Sequence, residues 1–233
     1  MSQPGPRPPA PRRAKTTAPP PRKGRSARGR RRNSRWTKLG VLLVSVAVVA
    51  GIVALVVANA GGSSSSSSTS PPALASLDTA ATGATVDGIQ CQSTEQVVYH
   101  IHSHLAVYVN GSARTIPAGI GVAPPRDVVQ TSTGPFVDAG SCFYWLHSHT
   151  ADGIIHVESP TQQTYTLGNY FDIWGQPLST TQVGPAHGTV TAYVNGQVYN
   201  GNPRDITLGA HTLIQLDVGG NVAPQPFTFP AGL

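Results

Sequence analysis

Six of the chain's eight histidines fall in two short clusters. The first reads Tyr99-His100-Ile101-His102-Ser103-His104-Leu105. The second runs from Trp145 through His147, His149, the dipeptide Asp152-Gly153 and His156 to Glu158. Neutral imidazole is the commonest protein ligand for transition metals, and a nearby carboxylate completes a donor set. The chemistry these residues can do together is to hold a divalent ion. One His-x-His is a weak signal. His-x-His-x-His joined by His-x-His and His-x-Glu, in a chain only 11% charged, is a much stronger one.

Strands must position these side chains. Alternation puts Val97, Tyr99, Ile101, Leu105 and Val107 on one face and His100, His102 and His104 on the other, with successive rings ~6.6–7 Å apart. Three rings in one row need a second strand to converge on one ion. The second cluster supplies it. Asp152-Gly153 reads as a two-residue type I′ turn, which places His149 opposite His156 and His147 opposite Glu158. A four-residue loop would instead set His147 opposite His156. Either register keeps all four on one face, with cross-strand Cβ atoms ~4.5–5.5 Å apart. Phe143 and Trp145 share that face by parity, as pocket wall or as core. His187 and His211 stand alone and read as loop or strand-edge residues.

Met1 is the only methionine. A thioether copper(I) site is therefore disfavoured. Imidazole plus one carboxylate suits a divalent metal, with Zn or Cu(II) favoured and Fe or Mn as alternatives. Glu158 is either a ligand or the general base on a metal-bound water. Asp152 serves the turn or orients a ligand from behind. Three His and a Glu on a β scaffold resemble the ligand set of cupin-type enzymes. The spacing departs from it, since His149 and Glu158 are nine apart with another His between.

The segments HIHSHLAVYVNG, IPAGIGV, CFYWLHSHTADGIIHVESP and YTLGNYFDIWG, over about residues 96–175, resemble a group of secreted or membrane-anchored prokaryotic proteins. That group has no established activity. The resemblance implies only that these motifs belong together.

The two cysteines, Cys91 and Cys142, are expected to form one disulfide in an oxidising compartment. It would close a loop of about 50 residues, a contribution of roughly 4 kcal/mol in the chain-entropy model. Thiolate metal ligation is the alternative, without a supporting CxxC spacing.

The remaining elements follow from composition. Charges are segregated: residues 1–38 hold 13 of the 16 basic residues and no acid, while residues 61–233 hold three basic and all ten acidic residues, a formal charge of −7. The pI near 9.7 therefore belongs to the tail and argues for no specific nucleic-acid partner. Residues 1–38 are Pro/Arg-rich and expected to be disordered and cytoplasmic. Their charge suits anionic lipid headgroups. Residues 39–60 read as a transmembrane helix entering the lipid bilayer, with Ser45 the only polar side chain from Leu39 to Ala58. The charge asymmetry predicts a single-pass plasma (inner) membrane protein with its N-terminus cytoplasmic and its C-terminal domain extracytoplasmic. Ala58-Asn59-Ala60 fits a signal-peptidase site, and cleavage would leave the body in the same compartment. Residues 61–84, rich in Ser, Gly and Pro, read as a flexible linker.

Residues 85–233 read as one mainly β domain, an antiparallel β-sandwich or open barrel. Strands are predicted over Gln96–Asn110, Ser112–Ile116, Cys142–His149, Ile154–Ser159, Thr189–Val194, Gln197–Asn200, Ile206–Leu208 and Thr212–Val218. Asn110-Gly111 and Asn195-Gly196 predict hairpin turns. Leu167–Trp174 is the helix candidate. Three functions fit: a membrane-anchored metal-binding protein, a metal-dependent envelope enzyme, or a partner-binding β domain with a pH-responsive histidine patch. Protein partners are not specified by any motif.

Overall fold

In the computed structural model, which describes residues 70–233, the chain is built mainly from strands. The tail (1–38), the apolar run (39–60) and the first part of the linker lie outside the described residues. Among the described residues, no helix is long and apolar enough to cross a membrane.

The elements follow in order: β1 (Cys91–Gln92), β2 (Tyr99–Val109), β3 (Ser112–Arg114), β4 (Asp127–Thr131), β5 (Gly134–Ala139), β6 (Phe143–Tyr144), β7 (Leu146–His147) and β8 (Ile154–Ser159). After these come helix α1 (Leu167–Trp174), β9 (Leu178–Ser179), β10 (Gln182–Val183), β11 (Ala186–His187), β12 (Val190–Val194), β13 (Gln197–Tyr199), a 3-10 turn (Pro203–Asp205) and β14 (Thr212–Val218).

Local chemistry explains several of these limits. Asn110 and Gly111 have φ of 51° and 78°, and Asn195 and Gly196 have the same pair of values. Positive φ at both central residues is the type I′ geometry that joins two strands directly. Val109 accordingly pairs with Ser112, and Val194 with Gln197. Helix α1 begins after Thr166, whose side chain and that of Asn169 form a capping box, and it ends at left-handed Gly175.

The principal sheet has seven strands in the order β13-β12-β14-β2-β8-β7, with β3 also on β2. β14 pairs with β2 in parallel, from Thr212↔Ser103 to Val218↔Val109. The sheet is therefore mixed, where an antiparallel one was expected. Three smaller sheets of two or three strands accompany it. One face of the large sheet carries Leu105, Val107, Ile155, Val157, Ile214 and Leu216, all buried. Leu167, Tyr170, Phe171, Ile173 and Trp174 of α1 join them in one core cluster. A helix layer on a sheet buries that face. The opposite face remains for the histidines.

Three further expectations are corrected. Val97 is 60% exposed, because β2 starts only at Tyr99. Ile206–Leu208 forms no strand beyond an isolated bridge at Thr207, because the preceding 3-10 turn directs Ile206 and Leu208 into the core. Leu74 and Ala80, within the segment read as linker, are buried in that same core. Thr115 N–H bonds Pro72 O and Leu74 N–H bonds Thr115 O, anchoring the segment to the body.

Candidate metal centre

Asp152-Gly153 is not a type I′ turn. Gly153 has φ of 84°, but Asp152 does not reach positive φ. Asp152 Oδ1 instead accepts from Ile154 N–H at 3.0 Å, an Asx turn within a longer loop. The register moves accordingly: His147 pairs with His156 and Leu146 with Val157. The pairing of His149 with His156 and of His147 with Glu158 is thereby replaced.

On its other edge β8 pairs with β2, setting His102 opposite His156 and His100 opposite Glu158. His102, His156 and His147 thus form one row across three neighbouring strands. His149 lies beyond β7, yet its ring centroid is 4.7 Å from that of His156. The atoms of His147, His149, His156 and Glu158 form one group within 4.8 Å of one another, and those of His100, His102 and His156 form a second.

Backbone carbonyls orient two of the rings. His147 Nδ1 lies 2.9 Å from Tyr144 O, and His149 Nδ1 lies 2.6 Å from Val137 O. A carbonyl only accepts, so each Nδ1 carries the hydrogen and each Nε2 of the neutral ring is a lone pair. Those two Nε2 atoms face each other at 3.1 Å. Nitrogens bound 2.0–2.1 Å from one ion stand about 2.8–3.4 Å apart at bond angles near 90–110°. The spacing fits two ligands of one ion. Phe136 stacks on His149 at 4.6 Å and Phe143 lies edge-on to His147 at 5.6 Å, holding the rings from the outside.

Glu158 Oε1 is 3.0 Å from His100 Nε2 and 3.3 Å from His156 Nδ1. Glu158 Oε2 is buried without a hydrogen-bond partner and lies 3.9 Å from His147 Nε2. A buried carboxylate oxygen left so is costly, and a cation would satisfy it.

Glu95 also belongs here, and motif reading missed it. Its Oε1 is 3.3 Å from His149 Nε2 and 3.8 Å from His147 Nε2. It reaches the site from the loop after β1, which the Cys91–Cys142 disulfide and the β1–β6 pairing fasten beside β7. One signal was present: Glu95 and Glu158 are the only two glutamates in the chain.

His104 does not join the cluster. It sits opposite Ile154 in the register, stacks on Phe227 at 3.6 Å, and its Nε2 donates to Asp152 O. Its row on β2 turns toward the C-terminal segment rather than toward β7. His211 and His187 also lie elsewhere: His211 stacks on Phe229, and His187 is exposed on β11. Trp145 points away, edge-on to Tyr165 and donating to Gln92 Oε1.

Burial lowers His147 to about 3, and His149 and His156 push the same way. Burial lowers His102 to about 4, with His156 and His100 adding to it. His156 is lowered chiefly by burial as well. For Glu158, burial alone would raise the carboxyl. The hydrogen bond from His156 outweighs it, with His147 and His100 adding wherever they are protonated, and together they hold Glu158 well below the usual range. Glu95 is raised by burial and by Glu158. At neutral pH His147, His102 and His156 are therefore neutral and Glu158 is ionised, the protonation states metal ligation requires. A cavity of about 490 Å³, lined in part by Glu95, His100, His149, His156 and Glu158, leads to the site.

No protein-family model matches the chain, and no curated protein and no solved structure matches it either.

Proposed function

We propose that the chain is a membrane-anchored, extracytoplasmic metal-binding protein. Its C-terminal domain holds a divalent ion at His147, His149, His156 and Glu158, with Zn or Cu(II) favoured. One observation carries the reading: two imidazole Nε2 lone pairs face each other at 3.1 Å, each ring fixed by a backbone carbonyl. Protein builds such a contact readily only around a cation or a proton, and burial opposes protonation of His147. The disulfide ties up both thiols, leaving nitrogen and oxygen donors, which suit these ions. The apolar run at 39–60 and the 13 basic residues before it support the anchor and the orientation. The disulfide agrees with an oxidising compartment. The basic tail would lie against anionic headgroups of the cytoplasmic leaflet.

The test is metal content of the full chain in detergent, after exposure to equimolar Zn, Cu, Fe and Mn and extensive dialysis. Stoichiometric metal, lost in a His147→Ala/His156→Ala variant that keeps its far-UV circular dichroism, is the expected result. No metal retained by the wild type overturns the proposal and leaves a partner-binding β domain with a histidine patch.

A metal-dependent envelope enzyme is the second reading, and the cavity favours it because an external molecule can approach the donor atoms. Azide added to the Cu(II)-loaded protein separates the two. A new ligand-to-metal absorption band means an open coordination position, and an unchanged spectrum means a closed binding site.

A further inference from the structure

The donor atoms outnumber what one ion takes. Around His147 stand His149, His156, Glu158 and Glu95. Across β8, His100 and His102 bring their Nε2 atoms to 3.0 Å, a second pair at ligand-to-ligand spacing. His156 belongs to both groups. The Glu158 carboxylate divides between them: Oε1 meets His100 Nε2 at 3.0 Å, while Oε2 is turned toward His147. A carboxylate whose oxygens face different donor sets is the usual bridge between two ions, which in two-metal sites lie about 3.5–4 Å apart.

We infer that this is a dinuclear centre. One ion lies in the group of His147 and His149, the other in the group of His100 and His102, with Glu158 bridging and His156 between them. The inference rests on the metal-binding reading above and adds a second site to it. The two positions differ in access. The His147 side chain is fully buried, whereas the His100 side chain is 38% exposed, at the cavity. The outer ion therefore exchanges faster.

The test is titration of the full chain in detergent with Cu(II), followed by metal content after dialysis and by electron paramagnetic resonance. His100→Ala is the variant, because an exposed ring can be removed with little effect on folding. Two ions per wild-type chain are expected, with a dipolar-broadened signal at two equivalents, and one ion with a resolved mononuclear signal in His100→Ala. EDTA should strip the wild-type ions in two phases. One ion in both proteins overturns the dinuclear centre and leaves the metal-binding reading standing. Two ions in both overturns it too, by placing the second ion away from His100. No ion in either overturns both readings.

Discussion

Glu95 Oε1 stands 3.3 Å from His149 Nε2, and the Cys91–Cys142 disulfide joins the β1–β6 pairing in fastening the segment before Glu95 beside the site. β1 pairs with β6 through only two residues, too few to hold the following loop alone. The disulfide thus bears on the site as well as on stability. Glu95→Gln is expected to weaken Zn(II) binding by about tenfold or more with little change in melting temperature. Cys91→Ser/Cys142→Ser should weaken binding similarly and also cost about 2–5 kcal/mol of stability. Competitive chelator titration and denaturant unfolding check the pair. Unchanged affinity in the double variant would separate the disulfide from the site.

The metal-free protein should lose stability as pH falls below about 6.5. His147 and His102 have lowered values in the folded state, about 3 and about 4, so below the ordinary histidine range the unfolded chain binds more protons. Their contribution is fully present above about pH 6.5 and declines as pH drops toward those lowered values. For buried His147 it amounts to about 2 kcal/mol lost by pH 5. Glu158, also lowered, adds loss only below the usual carboxylate range. Glu95 is raised and acts in the opposite sense, favouring the fold at lower pH. Denaturant unfolding at pH 7.5 and pH 5 in the presence of EDTA gives the answer. Equal stability at both would contradict neutral burial of His147.

Gly121→Ala is expected to destabilise by about 3 kcal/mol or more. Gly121 has φ of 73°, and an added Cβ would land on Leu146 O and come within 2.9 Å of His147 Cα. The backbone of β7 would have to move, taking His147 with it. Thermal unfolding and metal content should therefore fall together. A stable Gly121→Ala protein with normal metal content would refute this packing.

His104→Ala should leave metal stoichiometry unchanged. The ring is engaged with Phe227 and Asp152 O and has no contact with the ligand group. Loss of the stacked pair costs about 0.5–1.5 kcal/mol, and Phe227→Ala should cost a similar amount. Loss of a metal ion in His104→Ala would place this ring in the site after all.

Much of the local structure was legible in the chain. Leu167–Trp174 forms the expected helix, and the structure bounds it with Thr166 and Gly175, caps that act within a few residues. Asn110-Gly111 and Asn195-Gly196 close their hairpins because that dipeptide tolerates two positive φ angles. Asp152-Gly153 looked equivalent and was not. Asp152 bonds the Ile154 N–H instead, and that preference was indistinguishable from a hairpin signal in the letters alone. The strands β4 and β5 escaped notice because Val128 and Val129 are exposed and alternation is faint.

By itself the sequence determined which side chains alternate along β2 and β8, where the helix starts and stops, and which two cysteines were available to pair. Those follow from the pleat, from caps and from composition, each a property of neighbouring residues. Only the tertiary structure decided that His102, His156 and His147 line up across three strands, that Glu95 joins them, and that His104 does not. It also decided that β14 runs parallel to β2. The reason is that strand partners are selected by the common burial of Leu105, Val107, Ile155, Val157, Ile214 and Leu216 beneath helix α1. That burial is summed over segments far apart in the chain, so no single motif carries it.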